Sequence, residues 1–428
     1  MRTVRVGLIG LGTVGSGVVE ILGNHREDFR SRAGVDIELA KFADRDTQRF
    51  ADLGLPLDRC VTDAQAVIDD PSIDVVIELI GGTGVAREVV LAALGAGKSV
   101  VTANKALLAS HGEEVMAAAE ANGVDILFEA SVGGGIPIIA PLKHSLTSNE
   151  IVTVMGIVNG TTNYMLTRMA EDGLSYDAAL AEAQAKGFAE ADPTADVDGY
   201  DAAAKIAILA SIAFNSRVVM SQVPAEGIRA LTAEDISYAR EMGYTIKLLA
   251  IARRTESGID VRVHPTMIDS GHPLASVNGV YNAIYVVGDA VGETMFFGEG
   301  AGSLPAASAV VGDLIEEARR LQAGVKPLVG CTCTEHLPVR DIASLETEYY
   351  LRLSVADQPG VLAAVATVFG DHAVSIGSVI QKRAEGGLAQ IVYVTHRACE
   401  ADVRDALDEI EALDVVEAVL SVIRVQEL

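Results

Sequence analysis

The sequence predicts an α/β protein of several domains, and three observations carry that prediction. Short β-branched runs alternate with Ala-rich stretches up to about residue 130, a glycine-rich turn follows the first of those runs, and the chain beyond residue 348 alternates as strand, helix, strand, strand, helix, strand. The alternation is that of a parallel sheet covered by helices. At 428 residues the chain exceeds the roughly 250 to 300 residues at which a single core stops growing, so two or three domains are expected.

The strand candidates of the first domain are 4–9, 37–43, 74–80, 99–102 and 125–128, nearly all apolar, as strands buried on both faces should be. Helices are predicted over 14–22, 85–96 and 113–122, with Gly95, Gly97 and Gly123 where helix C-caps belong. From Glu129 the texture changes to glycine-rich turns, a strand at 151–158 and helical stretches at 163–172, 175–187 and 201–213, which predict a second, α+β domain. A strand-rich stretch at 260–287 follows, and Gly298 to Gly302 open a helix at about 305–322 that is expected to return to the first domain. Pro327, Pro338 and weak periodicity mark a linker. Beyond it, 349–355, 361–371, 375–381, 389–395, 401–413 and 415–425 follow the βαββαβ order of a ferredoxin-like module. The expected organisation is 1–130 plus the returning helix at 300–325, then 131–300, a linker at 326–347 and a module at 348–428.

A net charge of −26 disfavours nucleic-acid partners, whose phosphates it would repel. No apolar stretch approaches the roughly 20 residues of a bilayer span, and the first residues carry no secretory pattern, so no membrane partner and a cytoplasmic location are expected. Cys60, Cys331, Cys333 and Cys399 are too few and scattered for a disulfide framework. Cys331 and Cys333 have only His336 nearby and lack the second ligand pair of a zinc site, so they read as linker cysteines. The absence of cysteine between Cys60 and Cys331 disfavours thioester-based aldehyde oxidation and supports simple hydride transfer.

The motif Gly10-Leu11-Gly12-Thr13-Val14-Gly15 sits between a strand and a helical pattern, the context that a dinucleotide site requires. Gly10 permits the tight turn, Gly12 admits a pyrophosphate and Gly15 lets helix and strand pack, so a Rossmann-type domain binding NAD(P) is predicted. A ligand-free glycine turn is the plain alternative. After the second strand Asp44 favours a free ribose 2′-hydroxyl, whereas Arg45, with Lys41 nearby, favours a 2′-phosphate. The balance leans to NADP(H), with NAD(H) usable, and a solvated Arg45 is the competing reading.

Lys105 closes Thr102-Ala-Asn-Lys105 at the carboxyl edge of the sheet, where ligands of open α/β folds bind. Asp201 and Lys205 stand at i and i+4 on an otherwise apolar helical stretch, so they share one face. Either they form a surface pair, or they are buried ionisable groups of the kind that mark sites.

Together with Glu129-Ala-Ser-Val-Gly-Gly-Gly-Ile-Pro137, Gly156-Ile-Val-Asn-Gly-Thr-Thr-Asn-Tyr164 and Ala185-Lys-Gly-Phe-Ala-Glu-Ala-Asp-Pro193, these motifs make residues 1–325 resemble homoserine dehydrogenase. The resemblance implies reversible reduction of L-aspartate 4-semialdehyde to L-homoserine, a step toward threonine, methionine and isoleucine. It implies Lys205 as catalytic acid/base, Asp201 as its partner and Lys105 as a second active-site lysine that also meets the cofactor. Glu190 would hold the substrate's ammonium, and Asn159, Gly160, Thr161 and Asp196 would line the substrate pocket. It further implies cofactor contacts at Gly302 and a structural sodium ion at Glu129, Val132, Gly134 and Ile136, for which a glycine-rich hinge is an equal alternative.

Leu351 to Ala364, with its Asp357-Gln-Pro-Gly360 turn, resembles an ACT regulatory domain. Threonine feedback is the implied role, and an oligomerisation module without ligand the alternative. A homodimer or homotetramer is expected. With the first strand at residue 4, a monofunctional form without a fused kinase is expected.

Overall fold

The computed structural model describes residues 2–325, 330–382 and 387–426. Pro327 of the expected linker lies outside them. Two compact units emerge, one of Met1–Val158, Ala204–Gln222 and Asn282–Leu337, the other of Asn159–Ala203, Val223–Tyr281 and Pro338–Leu428.

The first unit is built on six strands, β1 (Thr3–Ile9), β2 (Asp36–Ala43), β3 (Cys60–Val61), β4 (Val75–Glu78), β5 (Ser99–Thr102) and β6 (Ile126–Leu127). They pair in parallel in the order β3-β2-β1-β4-β5-β6, the doubly wound Rossmann order that the alternating pattern predicts. Val4, Val6 and Leu8 of β1 are fully buried, which is why the strand reads as a continuous apolar run. The order reverses between β1 and β4, so the carboxyl ends of these two strands open the crevice where a ligand binds. Only β3 escapes the sequence pattern, because two residues carry no period.

The helix Ser303–Ala323 returns to this unit as expected, with Ala307, Val310, Val311, Leu314 and Ala318 in the same core as β1. It packs closely on the helix Thr13–Asp28, where a Cβ on Gly17 would come 2.8 Å from the Ser303 carbonyl oxygen. The helix Lys105–Asn122 begins two turns before the predicted 113–122, because Asn104 caps it by accepting a hydrogen bond from Leu107 N–H at 3.1 Å. A non-helical His111 kinks it, and that break hid its first turns from the periodicity. The unit also holds the strand Ile151–Ile157, antiparallel to Tyr281–Gly288, with Gly292–Glu299 beyond.

In the second unit the strands Tyr244–Thr255 and Gly258–Asp269 form a long antiparallel hairpin. The first of these strands was not foreseen: its apolar run from Leu248 to Ala252 lacks alternation and reads equally well as buried helix. The C-terminal module realises the predicted order as strand Glu346–Ala356, helix Val361–Asp371, strand Ile376–Lys382, strand Leu388–Thr395, helix Glu400–Glu411 and strand Val416–Val425. Its own core is centred on Tyr349, Leu351, Leu353, Phe369, Ile391 and Tyr393. The module's last strand runs parallel to Gly258–Asp269, with Arg424 opposite Thr266. The later part of the expected linker is docked: Ile259 N–H donates to Pro338 O at 2.8 Å, and Arg340 N–H to Ile259 O at 2.9 Å.

Candidate active site

At the carboxyl ends of β1, β2 and β4 the glycine turn borders a cavity of about 880 Å³, room enough for a dinucleotide. Each glycine does a different job. Gly10 has φ +95°, and a Cβ there would lie 2.6 Å from the Leu79 carbonyl oxygen; one on Gly15 would lie 2.1 Å from Gly10 O. A Cβ on Gly12 would meet nothing within 4 Å, which leaves the space that a pyrophosphate needs, in front of the N–H groups of the helix starting at Thr13. Leu11 is fully buried and Val14 packs on the same core, so both hold the turn from beneath, and Thr13 O accepts from Ser303 Oγ at 2.6 Å. Gly302, at φ +125°, caps that returning helix.

The conflict between Asp44 and Arg45 takes a specific form. Asp44 Oδ2 accepts from Leu11 N–H at 2.6 Å and its Oδ1 from Asp46 N–H at 2.9 Å, so the carboxylate is spent on the glycine turn. Arg45 lines the cavity, as does Arg49, which sequence reasoning missed although it lies one turn further on. Arg49 Nη1 donates to Leu11 O at 2.9 Å. Lys41, expected beside a phosphate, is instead paired with Asp70 at 2.7 Å and is not among the cavity's lining residues.

Lys105 is set by a network that the sequence showed only in part. Glu78, fully buried at the end of β4, accepts from Thr102 Oγ1 at 2.7 Å and from the N–H groups of Ile80 and Gly81 at 2.7 and 3.1 Å. Thr102 Oγ1 accepts in turn from Asn104 N–H, and Asn104 Nδ2 donates to Gly82 O at 2.7 Å. Lys105 therefore stands at the first position of its helix, directly after the capping Asn104.

In the second unit Asn159 gathers two of the expected substrate residues. Its Nδ2 donates to Asp196 Oδ1 at 2.7 Å and to Asp201 Oδ2 at 2.9 Å, while its Oδ1 caps the helix Gly160–Asp172 by accepting from Thr162 N–H at 2.9 Å. Gly160 is the first residue of that helix. Thr161 Oγ1 donates to Phe188 O at 2.6 Å and so pins the loop bearing Glu190, whose own carbonyl is held by Gln184 Nε2. The Glu190 residue is solvent-exposed.

The helix Tyr200–Ala213 resolves the choice between a surface pair and buried ions. Asp201 and Lys205 are each 8% exposed, and Ala202, Ala203, Ala204, Ile206 and Ala207 are buried around them. Within the first unit Lys205 Nζ donates to Val158 O at 2.6 Å, the carbonyl immediately before Asn159 in the chain. A buried ammonium held partly by a neutral carbonyl is costly to keep and is a group worth keeping for chemistry.

Glu129 is a buried carboxylate whose charge is held by peptide N–H donors, from Ile138 at 2.5 Å, Ile139 at 2.8 Å and Ala140 at 2.7 Å. Burial pushes its pKa up and those donors oppose the shift. The loop carrying Val132, Gly134 and Ile136 is closed by Ile136 N–H donating to Gly133 O and Gly135 N–H to Glu299 O. These bonds anchor the loop on the Glu129 carboxylate.

Residues 10–129 match the NAD-binding domain model of homoserine dehydrogenase, 137–315 the homoserine dehydrogenase model and 349–415 the ACT domain model. A homoserine dehydrogenase from Synechocystis sp. is 48% identical over 99% of both chains. The chain belongs to the homoserine dehydrogenase family. The crystal structure of the homoserine dehydrogenase from Thiobacillus denitrificans is 45% identical and superposes with a TM-score of 0.95, covering 100% of this chain and 99% of that one. A hyperthermophilic archaeal homoserine dehydrogenase solved in complex with NADPH is 27% identical, with a TM-score of 0.64 over 74% of this chain and 98% of its own. Homoserine dehydrogenases are oxidoreductases that interconvert L-aspartate 4-semialdehyde and L-homoserine, and this chain carries their NAD-binding, catalytic and ACT domains together. No described helix is long and apolar enough to cross a membrane.

Proposed function

We propose that the chain reduces L-aspartate 4-semialdehyde with NADPH in preference to NADH, with Lys205 as the proton donor. The observation that carries the cofactor preference is the engagement of both Asp44 oxygens by backbone N–H groups, while Arg45 and Arg49 line the cavity. A carboxylate so engaged is poorly placed to take a ribose hydroxyl, and guanidinium groups suit a 2′-phosphate. The NADPH bound by the archaeal relative supports the same choice.

Bound nicotinamide supplies the hydride to the aldehyde carbon. The carbonyl oxygen then becomes an alkoxide, which needs positive charge and a proton. Lys205 supplies both from its buried ammonium. Asp201, oriented by Asn159, stands one helical turn before Lys205 as its charge partner. Lys105 adds a second positive charge at the reacting oxygen, and Glu190 takes the substrate's ammonium. In the reverse direction Lys205 accepts the proton of homoserine's hydroxyl. The C-terminal module binds threonine as feedback effector, the chain acts as a homodimer or homotetramer, and its four free cysteines suit the cytoplasm.

The test is oxidation of NADPH against NADH with L-aspartate 4-semialdehyde, in wild type and Arg45→Ser, with and without threonine. Expected are a kcat/KM at least about tenfold higher for NADPH, loss of most of that preference in the variant with NADH rates little changed, and inhibition by threonine. Equal rates with the two cofactors in wild type would refute the preference, and a threonine-insensitive rate would remove the effector.

A further inference from the structure

Against a chain of net charge −26, the second unit contains a cavity of about 400 Å³ in which arginine predominates. The hairpin Tyr244–Thr255 and Gly258–Asp269 supplies Arg253, Arg254 and Arg262 to its wall, the docked linker supplies Arg340, and the C-terminal module supplies Arg397. Two carboxylates, Asp260 and Glu346, share the lining, so five guanidinium groups against two carboxylates leave a net charge of +3 (5 − 2). Arg340 is paired with Asp260 at 3.0 Å, and Arg397 reaches Glu346 at 4.0 Å.

Arg262 is the decisive group. It is 5% exposed, its Nε donates to His264 Nε2 at 3.1 Å and its Nη2 to Gln426 Oε1 at 3.0 Å, and both of these acceptors are neutral. Its Nη1 is buried without a hydrogen-bond partner among the described residues. Burial, first, and the neighbouring Arg424 pull its pKa down to about 10, against the pull of Asp260, yet it remains a cation at neutral pH. A buried guanidinium N–H with no acceptor costs a folded chain stability, and such a group persists where something supplies the acceptor.

We propose that this cavity is a binding site for a small polyanion, a metabolite bearing two or more phosphate or carboxylate oxygens, which is held by the guanidinium groups of Arg262 and its neighbours and joins the hairpin to the C-terminal module. The guanidinium fork matches both oxyanion types in the plane, and the volume suits a small metabolite. The site differs from the turn at Asp357 to Gly360, through which the module's resemblance points to an amino acid. The cavity meets the strand Glu346–Ala356 at its first residues and the turn follows its last, about 30 Å away at the rise of an extended strand.

Pyrophosphate and citrate, as the phosphate and carboxylate probes, are titrated calorimetrically into the full chain saturated with NADPH, so that the dinucleotide cavity is filled. At least one probe is expected to bind with one site per chain, with an affinity that falls steeply as salt is raised. Which of the two binds more tightly assigns the site to phosphate or to carboxylate. Arg262→Gln is expected to weaken binding at least tenfold. Should that variant fail to fold, Arg253→Gln/Arg397→Gln, both solvent-exposed positions, serves in its place with the same expected loss. Arg32→Gln, an exposed arginine of the first unit that is not among the cavity's lining residues, should bind as wild type does. Absence of saturable binding of both probes, or affinities unchanged in the folded variants, overturns the proposal.

Discussion

Lys205 and Asp44 show how a side chain's hydrogen bonds, more than its identity, decide what it does. Spacing alone put Asp201 and Lys205 on one helix face; only burial distinguishes that pair from a solvated one, and burial depends on neighbours far away in sequence. Asp44 by position favours a ribose hydroxyl, yet both of its oxygens accept from backbone N–H groups. Lys247 illustrates the energetic side of the same point. It is 2% exposed and donates to Val277 O at 2.6 Å, Asn278 Oδ1 at 3.0 Å and Asn163 Oδ1 at 3.1 Å, all neutral acceptors. Burial pulls its pKa from 10.5 down to about 8. Below pH 8 both folded and unfolded chains hold the proton and the cost is constant. Between pH 8 and 10.5 the folded chain releases a proton that the unfolded chain keeps, so this group's contribution to stability rises with pH, by up to roughly 3 kcal/mol. Urea unfolding from pH 7.5 to 10 should show wild type gaining on Lys247→Met as pH rises; a difference independent of pH would contradict the assignment.

Elements were legible where sequence period and burial coincide. The parallel strands of the first unit and the βαββαβ order of the C-terminal module follow from apolar runs separated by turns, and both are present nearly residue for residue. Among the elements that escaped were β3, too short to have a period, the strand Tyr244–Thr255, whose apolar run from Leu248 to Ala252 has no alternation, the helix Ala233–Glu241, the strand Gly292–Glu299 and the first turns of the helix Lys105–Asn122, masked by the kink at His111. The glycine turn is the element with the least tolerance. A side chain at Gly15 would drive its Cβ into the backbone at Gly10 O, with no flexible atom to yield. Gly15→Val is expected to weaken NADPH binding at least about a hundredfold, read by quenching of protein-bound cofactor fluorescence, while leaving the C-terminal module's fold intact; wild-type affinity would show that the turn is not the phosphate site.

Across the whole molecule, the second unit joins the C-terminal module to segments read as a separate domain, through buried charge networks that no local sequence signal reveals. Arg352 of the module is 3% exposed and pairs with Asp235 at 2.8 Å, which also completes a capping box with Thr232. Arg424 pairs with Glu400 at 2.6 Å and Glu226 at 2.7 Å. These residues lie more than a hundred positions apart in two cases, so pairing could not be read from spacing. Removing one partner leaves an uncompensated buried charge, and Asp235→Ala is expected to cost about 3 to 5 kcal/mol of unfolding free energy in urea titration; a loss under about 1 kcal/mol would show that water relieves Arg352.

The most direct test of the catalytic role assigned to Lys205 is the rate of NADPH-dependent L-aspartate 4-semialdehyde reduction by Lys205→Ala, measured beside its NADPH dissociation constant. Loss of the proton donor should lower kcat by about 10²- to 10⁴-fold and leave NADPH affinity within about twofold of wild type. A kcat within a few-fold of wild type would contradict the role assigned to Lys205.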